Sequence, residues 1–501
     1  MAYLKHLKPS LKSSLGTVIM AAKQTLNIKN LESLGAQRLA ELLIEISTGD
    51  AAAKRRLRLE LAGASSSEDL AKEVRKRIVA IGRSTTFVNW QKRKALVSDL
   101  ETQHDAITNK IGKENPTIAL ELLWRFMELA PTIYSRCDDS SGIISSVFSS
   151  ACSDFGILAQ AAKPDPLDLA NQVYDALLTN SYGQFDNLLK SLSSYLGHNG
   201  LEHLRTKMLE LKRSFLTASP AANRNKSYVS MSSGIVYVDD YRQDRQIWNT
   251  SYILRNIADQ LGDVDGYIAE LNEDEKSVPK IAANIAVRLV KAGRAEEALK
   301  FLGNAKSRHD DWPDYELVDA KIAAYEALKN KIDAQVVRLH YFKRTLSASH
   351  LRDYLKNLPD FDDIEAEEEA LQYAESFKGF LASLHFLVKW PALERAAKVV
   401  LLYSAKIDGD NYEILSPSAE VLCDKFPLAA TVLLRSMIDF SLTNARTSRY
   451  GHAARHFLQC EDLAKHIASY GAFQTHEDYH ARLMLKHGHK DSFWSLVRIP
   501  I

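Results

Sequence analysis

Apolar residues recur at helical spacing along almost the whole chain, and the pattern predicts helices joined by short connectors. Leu31, Leu34, Leu39, Leu42, Leu43 and Ile46 mark one such stripe. Gly49-Asp50 then closes that helix and caps the next, which carries Leu57, Leu59 and Leu61. Amphipathic helices are expected over 68–81 and 87–111. Asn115-Pro116 opens another that runs through Leu129, because proline suits a first helical turn. Pro164-Asp165-Pro166 interrupts the pattern before a helix from Leu167. The polar stretch Thr217 to Ser227 reads as a linker, and Ile235-Val236-Tyr237-Val238 after it reads as extended.

From residue 246 the helices come in pairs. Ile247 to Leu261 ends at Gly262-Asp263, a short helix covers Asp265 to Leu271, and Pro279 to Ala292 ends at Gly293 before Ala295 to Ala305. Each pair has a face that it cannot bury alone, which drives stacking on the next. Further pairs are expected through 313–329, 331–355, 365–388, 391–405, 417–443 and 446–470. The predicted fold is therefore all-α, a degenerate α-solenoid of TPR-like helix pairs behind an N-terminal helical domain. The division is an extension at 1–23 with Met20 as an alternative start, a basic helical domain at 24–216, a linker at 217–245 and a repeat domain at 246–501.

Composition agrees. Gly and Pro number 21 and 13 in 501 residues, too few for a strand-and-turn fold. Four scattered cysteines form no C-x-x-C pair, which suits a reducing compartment, and a cytoplasmic location is expected. No apolar run approaches the roughly 20 residues of a membrane span, so no membrane partner is expected.

Charge is uneven although the net value is only +1. Residues 1–100 hold 18 Lys and Arg against 9 Asp and Glu, leaving 46 against 54 for the remainder. The candidate binding residues are Lys54, Arg55, Arg56, Arg58, Arg75, Arg77, Lys92, Arg93 and Lys94, a density suited to an acidic protein or to nucleic acid. Ordinary solvated helix faces have the same composition. The acidic run Asp360 to Glu369 reads as a loop leading into a helix start, and Asp138-Asp139 as a turn and helix cap rather than a cation site.

Phosphate-loop, dinucleotide, nucleophile-elbow and kinase motifs are absent from the sequence. One motif with chemistry is present: His476-Glu477-Asp478-Tyr479-His480 fits H-E-x-x-H, which on a helix places two imidazoles on one side for zinc, with Glu477 as base. The third ligand is wanting. Lys486 stands where a metzincin has histidine, and no Glu follows Glu477. A softer metal reading joins His452, His456 and Cys460, spaced i, i+4, i+8, to His476 and His480. The plainer expectation is that these side chains pack between helices and that no cofactor is bound.

The stretches WRFMELAPTIYSRCDDSSG (124–142), IADQLGDVDGYIAEL (257–271), RLVKAGRAEEALKFL (288–302) and HARLMLKHGHKDSFW (480–494) resemble a bacterial family of unassigned function. Its helical region is similar to the repeat part of SWIM-type zinc-finger proteins. The resemblance implies a C-terminal signature of His-Gly-Arg-Lys and Phe-Trp, matched here by His487, Gly488, Lys490, Phe493 and Trp494, with His489 in the arginine place. It implies helical repeats without the zinc finger, whose cysteines this chain lacks. The function expected is a non-enzymatic interaction scaffold with a protein partner. A zinc hydrolase and a nucleic-acid-associated protein are the alternatives.

Overall fold

The computed structural model describes residues 26–217, 228–231, 234–306 and 314–498. The extension expected at 1–23 and most of the Thr217–Ser227 linker lie outside them. Among the described residues the fold is all-α apart from one hairpin, in which Tyr228–Met231 pairs antiparallel with Gly234–Tyr237 and Val229 stands opposite Val236. Val238, expected to be extended, opens the following helix instead.

Helix starts follow local side-chain chemistry. Asp50, Ser66, Asn89, Asn115 and Asp165 each accept a backbone N–H of the first turn that has no partner within the helix. Asp139 does the same for the helix Ile143–Ala162, accepting from Ile144 and Ser145, so the Asp138-Asp139 pair is cap chemistry.

The chain divides into two compact units, 1–263 and 264–501. In the first, the core extends from Leu59 to Ile257 and includes the inner face of Ile143–Ala162. That helix packs against Pro116–Met127 and Leu188–Thr217. A Cβ at Gly156 would overlap the Ser191 carbonyl, so only glycine permits this approach. Ile143–Ala162 also corrects the expectation about apolar runs, because by length and composition it is apolar enough to cross a membrane. Its Ile144, Val147, Phe148, Cys152, Phe155 and Leu158 are buried in the core.

The expected boundary at 246 moves as well. Val238–Leu261 packs back on Leu188–Thr217, and its Ile253, Leu254 and Ile257 complete the first core. The helix expected over 87–111 begins at Trp90, and its last turns widen into a π-helix at Ala106–Ile111.

In the second unit successive helices pack on the next or the next but one, from Pro279–Lys291 through Ala295–Gly303 and Tyr315–Ala327 to Pro427–Thr443 and Tyr450–Ala464. This nearest-neighbour order is the degenerate solenoid, and it stands on two apolar clusters, Leu271 to Ala324 and Phe342 to Trp494. Several expected helices are two. Leu346, at φ 54, separates Lys331–Thr345 from Ala348–Lys356, and Pro427 starts a helix distinct from Tyr412–Leu422. Most of the acidic run is helical rather than looped, with Asp362, Asp363 and Glu365 in the first turn of Asp362–Glu375.

Candidate functional site

The H-E-x-x-H residues are the first turns of His476–His487. Thr475 caps this helix, accepting from the Asp478 N–H at 3.1 Å and donating its hydroxyl to the Asp478 carboxylate at 2.8 Å. Glu477 and Asp478 therefore stand where the helix dipole favours negative charge. His476 is half-buried and His480 exposed. Both rings pack on Phe457, at centroid distances of 5.0 and 5.3 Å, while lying 6.5 Å from each other, and His480 also meets Trp494 at 5.5 Å.

The preceding helix, Tyr450–Ala464, carries the other candidates. His452 is exposed and accepts from Arg455. His456 is half-buried with Nδ1 unpartnered, and burial lowers its pKa to about 4. Cys460 is wholly buried, which pushes its thiol up to about 12. Among the described residues no three His, Cys, Asp or Glu side chains are grouped so that they could hold a metal ion. His452, His456, Cys460, His476 and His480 are therefore not brought together as a ligand set, and Glu477 has no assembled metal-ligand set beside it.

The residue of this motif that organises its surroundings is Tyr479. It is buried, with the guanidinium groups of Arg435 at 4.4 Å and Arg482 at 4.8 Å from its ring centroid. Its hydroxyl donates to Asp439 at 3.1 Å, and Arg482 pairs with the same carboxylate at 2.9 Å. Arg435 donates to the Gln474 carbonyl at 2.7 Å, tying the 465–475 connection to Pro427–Thr443. These groups line a polar pocket of about 580 Å³ with Asp408 and Asn444.

In the first unit the nine candidate cations are engaged to different degrees. Arg75 pairs with Glu121 at 3.1 Å, Arg77 with Asp99, and Arg93 donates to the Asp138 carbonyl at 2.9 Å, so these three hold helices together. Arg55 is near enough to Asp50 to help lower that carboxyl's pKa, after the capped N–H groups of Ala53 and Ala52. Lys54, Arg56, Arg58, Lys92 and Lys94 are exposed and make no ion pair among the described residues. Large apolar side chains in the same part of the chain are also open to solvent: Leu43, Ile44 and Ile46 on Ala36–Ser47, Leu61 on Ala51–Ser65, and Phe87 and Trp90.

A family model described as a family of unknown function, DUF6880, matches residues 21–496. The chain belongs to this family. No curated protein matches it. Among solved structures, a circular tandem repeat protein with novel repeat topology and enhanced subunit contact surfaces aligns with 12% identity over 91% of this chain and 94% of that one. Its TM-score is 0.14.

The match to the DUF6880 family spans both units and brings no assigned activity, so the chemistry rests on the side chains. Sequence reasoning missed the joining of Tyr479 to Arg435 and Asp439, because partners 44 and 40 positions apart leave no local spacing. It also missed a cavity of about 780 Å³ in the first unit, with Leu120, Trp124, Pro131, Pro164 and Phe185 among its lining. The exposed Phe87 and Trp90 beside Lys92 and Lys94 had a readable signal, since both aromatics stand in a segment without any acid.

Proposed function

We propose that the protein is a non-enzymatic interaction scaffold of the cytoplasm, which binds an acidic, amphipathic segment of a partner protein through the first helices of its N-terminal unit. One observation carries this reading. Among the described residues Ile44 and Ile46 of Ala36–Ser47 are 68% and 71% exposed, and the adjoining helix offers Leu61 at 72%. Lys54 and Arg58 share the face of Leu61 by i, i+4, i+7 spacing, so apolar and cationic positions alternate there. An amphipathic acidic helix satisfies both. The helical-repeat order of the second unit supports the scaffold role.

The test uses the full chain in affinity capture from its native host, compared with the double variant Ile44→Asp, Ile46→Asp. The wild-type protein retains a stoichiometric partner that the variant loses, while the two give the same thermal melting curve by circular dichroism. Recovery of the same partner on both proteins removes the reading.

A further inference from the structure

A second surface of the N-terminal unit is built differently. Between Val74 and Ser98 the chain has seven Lys and Arg and no Asp or Glu. In the middle of this segment Phe87 is 65% and Trp90 76% exposed, a large departure for side chains that ordinarily bury most of their area. No aromatic partner covers either ring among the described residues, and no apolar cluster includes them.

The backbone that presents them is tied down from behind. The Val88 N–H donates to the Arg136 carbonyl at 2.9 Å, and the buried Arg136 guanidinium donates to the carbonyls of Thr86 at 3.1 Å and Ile81 at 3.4 Å. Asn89 caps the helix Trp90–Asp105 by accepting from the Lys92 N–H at 3.1 Å, and Arg93 holds the Asp138 carbonyl. Two aromatic residues three positions apart thus stand on a tied-down loop and the helix start that follows it, at most about 10 Å from each other along the chain.

The flanking cations are unspent. Arg83, Lys92 and Lys94 are exposed and make no ion pair among the described residues. The carboxylates of the packed segment are already engaged, Asp138 with the Ser140 N–H and Asp139 with the N–H groups of Ile144 and Ser145. The surface therefore offers two flat π-faces and three free positive charges with no competing acid on its own strand of chain.

We propose that Phe87, Trp90, Arg83, Lys92 and Lys94 form a binding platform for single-stranded nucleic acid. Unstacked bases lie on the two rings, and the cations meet the phosphates. A duplex hides its base faces in the stack, so it satisfies the charges and leaves the rings uncovered. An acidic peptide does likewise. This site goes beyond the protein-docking surface and does not depend on it.

The experiment titrates the full chain into a fluorescein-labelled oligo-deoxythymidine of about 16 nucleotides, followed by anisotropy between about 50 and about 200 mM salt. Binding is expected to weaken steeply with salt and to exceed that of the matched duplex. Phe87→Ala and Trp90→Ala each weaken it about tenfold, and Trp90→Phe restores most of the loss. Lys92→Gln with Lys94→Gln lowers the logarithmic salt slope by about 1.4. Unchanged melting curves are expected for all of these exposed positions.

Absence of binding at about 50 mM salt overturns the proposal. So does equal affinity for the duplex, equal affinity of the Phe87→Ala, Trp90→Ala double variant, or displacement of the strand by poly-glutamate at matched charge. The Ile44→Asp, Ile46→Asp protein keeps strand binding, which separates failure of this site from failure of the scaffold reading.

Discussion

His456 shows how burial turns a candidate ligand into a stability determinant. Its pKa falls to about 4, chiefly through desolvation, with the charges of His452 and Arg455 adding to the effect. His476 is lowered by the same main cause. Between about pH 4 and the ordinary histidine value near 6.5 the unfolded chain binds protons that the folded chain refuses. Stability is therefore undiminished above that window and falls as pH is lowered through it. Thermal melting followed from pH 7 to pH 4.5 should show a falling midpoint, and His456→Gln should remove part of the slope; a His456→Gln profile parallel to the wild type would count against it. The same scale accounts for the residues of the H-E-x-x-H motif. Thr475 through Asp478 is what a capped helix start requires, and H-E-x-x-H arises there as cap and first-turn chemistry. Both imidazoles pack on Phe457.

Among the elements, ends set by a local residue were legible and ends set by packing were not. Gly49, Gly262 and Gly293 all have positive φ and all stand between helices, where an L side chain is strained. Asp50 caps as expected, and Asn115 and Asp165 cap the helices that begin at the expected prolines. Leu346 breaks a helix from the same left-handed region, yet nothing in its identity announces this, because neighbouring helices hold it there. Glycine inside a helix has the opposite ambiguity. Gly156 carries no turn, and its use appears only against Ser191 of the facing helix. Gly156→Ala should cost about 1–3 kcal/mol through overpacking. Chemical denaturation measures it, and an unchanged midpoint would show that the two helices separate freely.

For the whole molecule, the near-zero net charge conceals a basic N-terminal fifth and an acidic remainder. The structure sharpens that division, since Arg75, Arg77 and Arg93 serve internal contacts while Lys54, Arg56, Arg58, Lys92 and Lys94 make no ion pair among the described residues. Core residues divide as well. Those of the first cluster end at Ile257, and those of the others begin at Leu271, so each unit has its own apolar interior. Fragments 1–263 and 264–501 should each fold separately, with cooperative melting and native helical content; a fragment without a transition would show that its core is incomplete alone. A cut at 245/246 should damage the first fragment, because it removes Ile253, Leu254 and Ile257 from their core.

What the amino-acid sequence by itself determined is the helical character, most helix starts and the charge division, all properties of residues within one or two turns of each other. Capping, propensity and periodicity act at that range. Only the tertiary structure decided which cations are spent, which aromatic rings stay uncovered, and that Val238–Leu261 belongs to the first unit. Each of those depends on a partner tens of residues away, and burial or pairing is created when the chain brings such partners together.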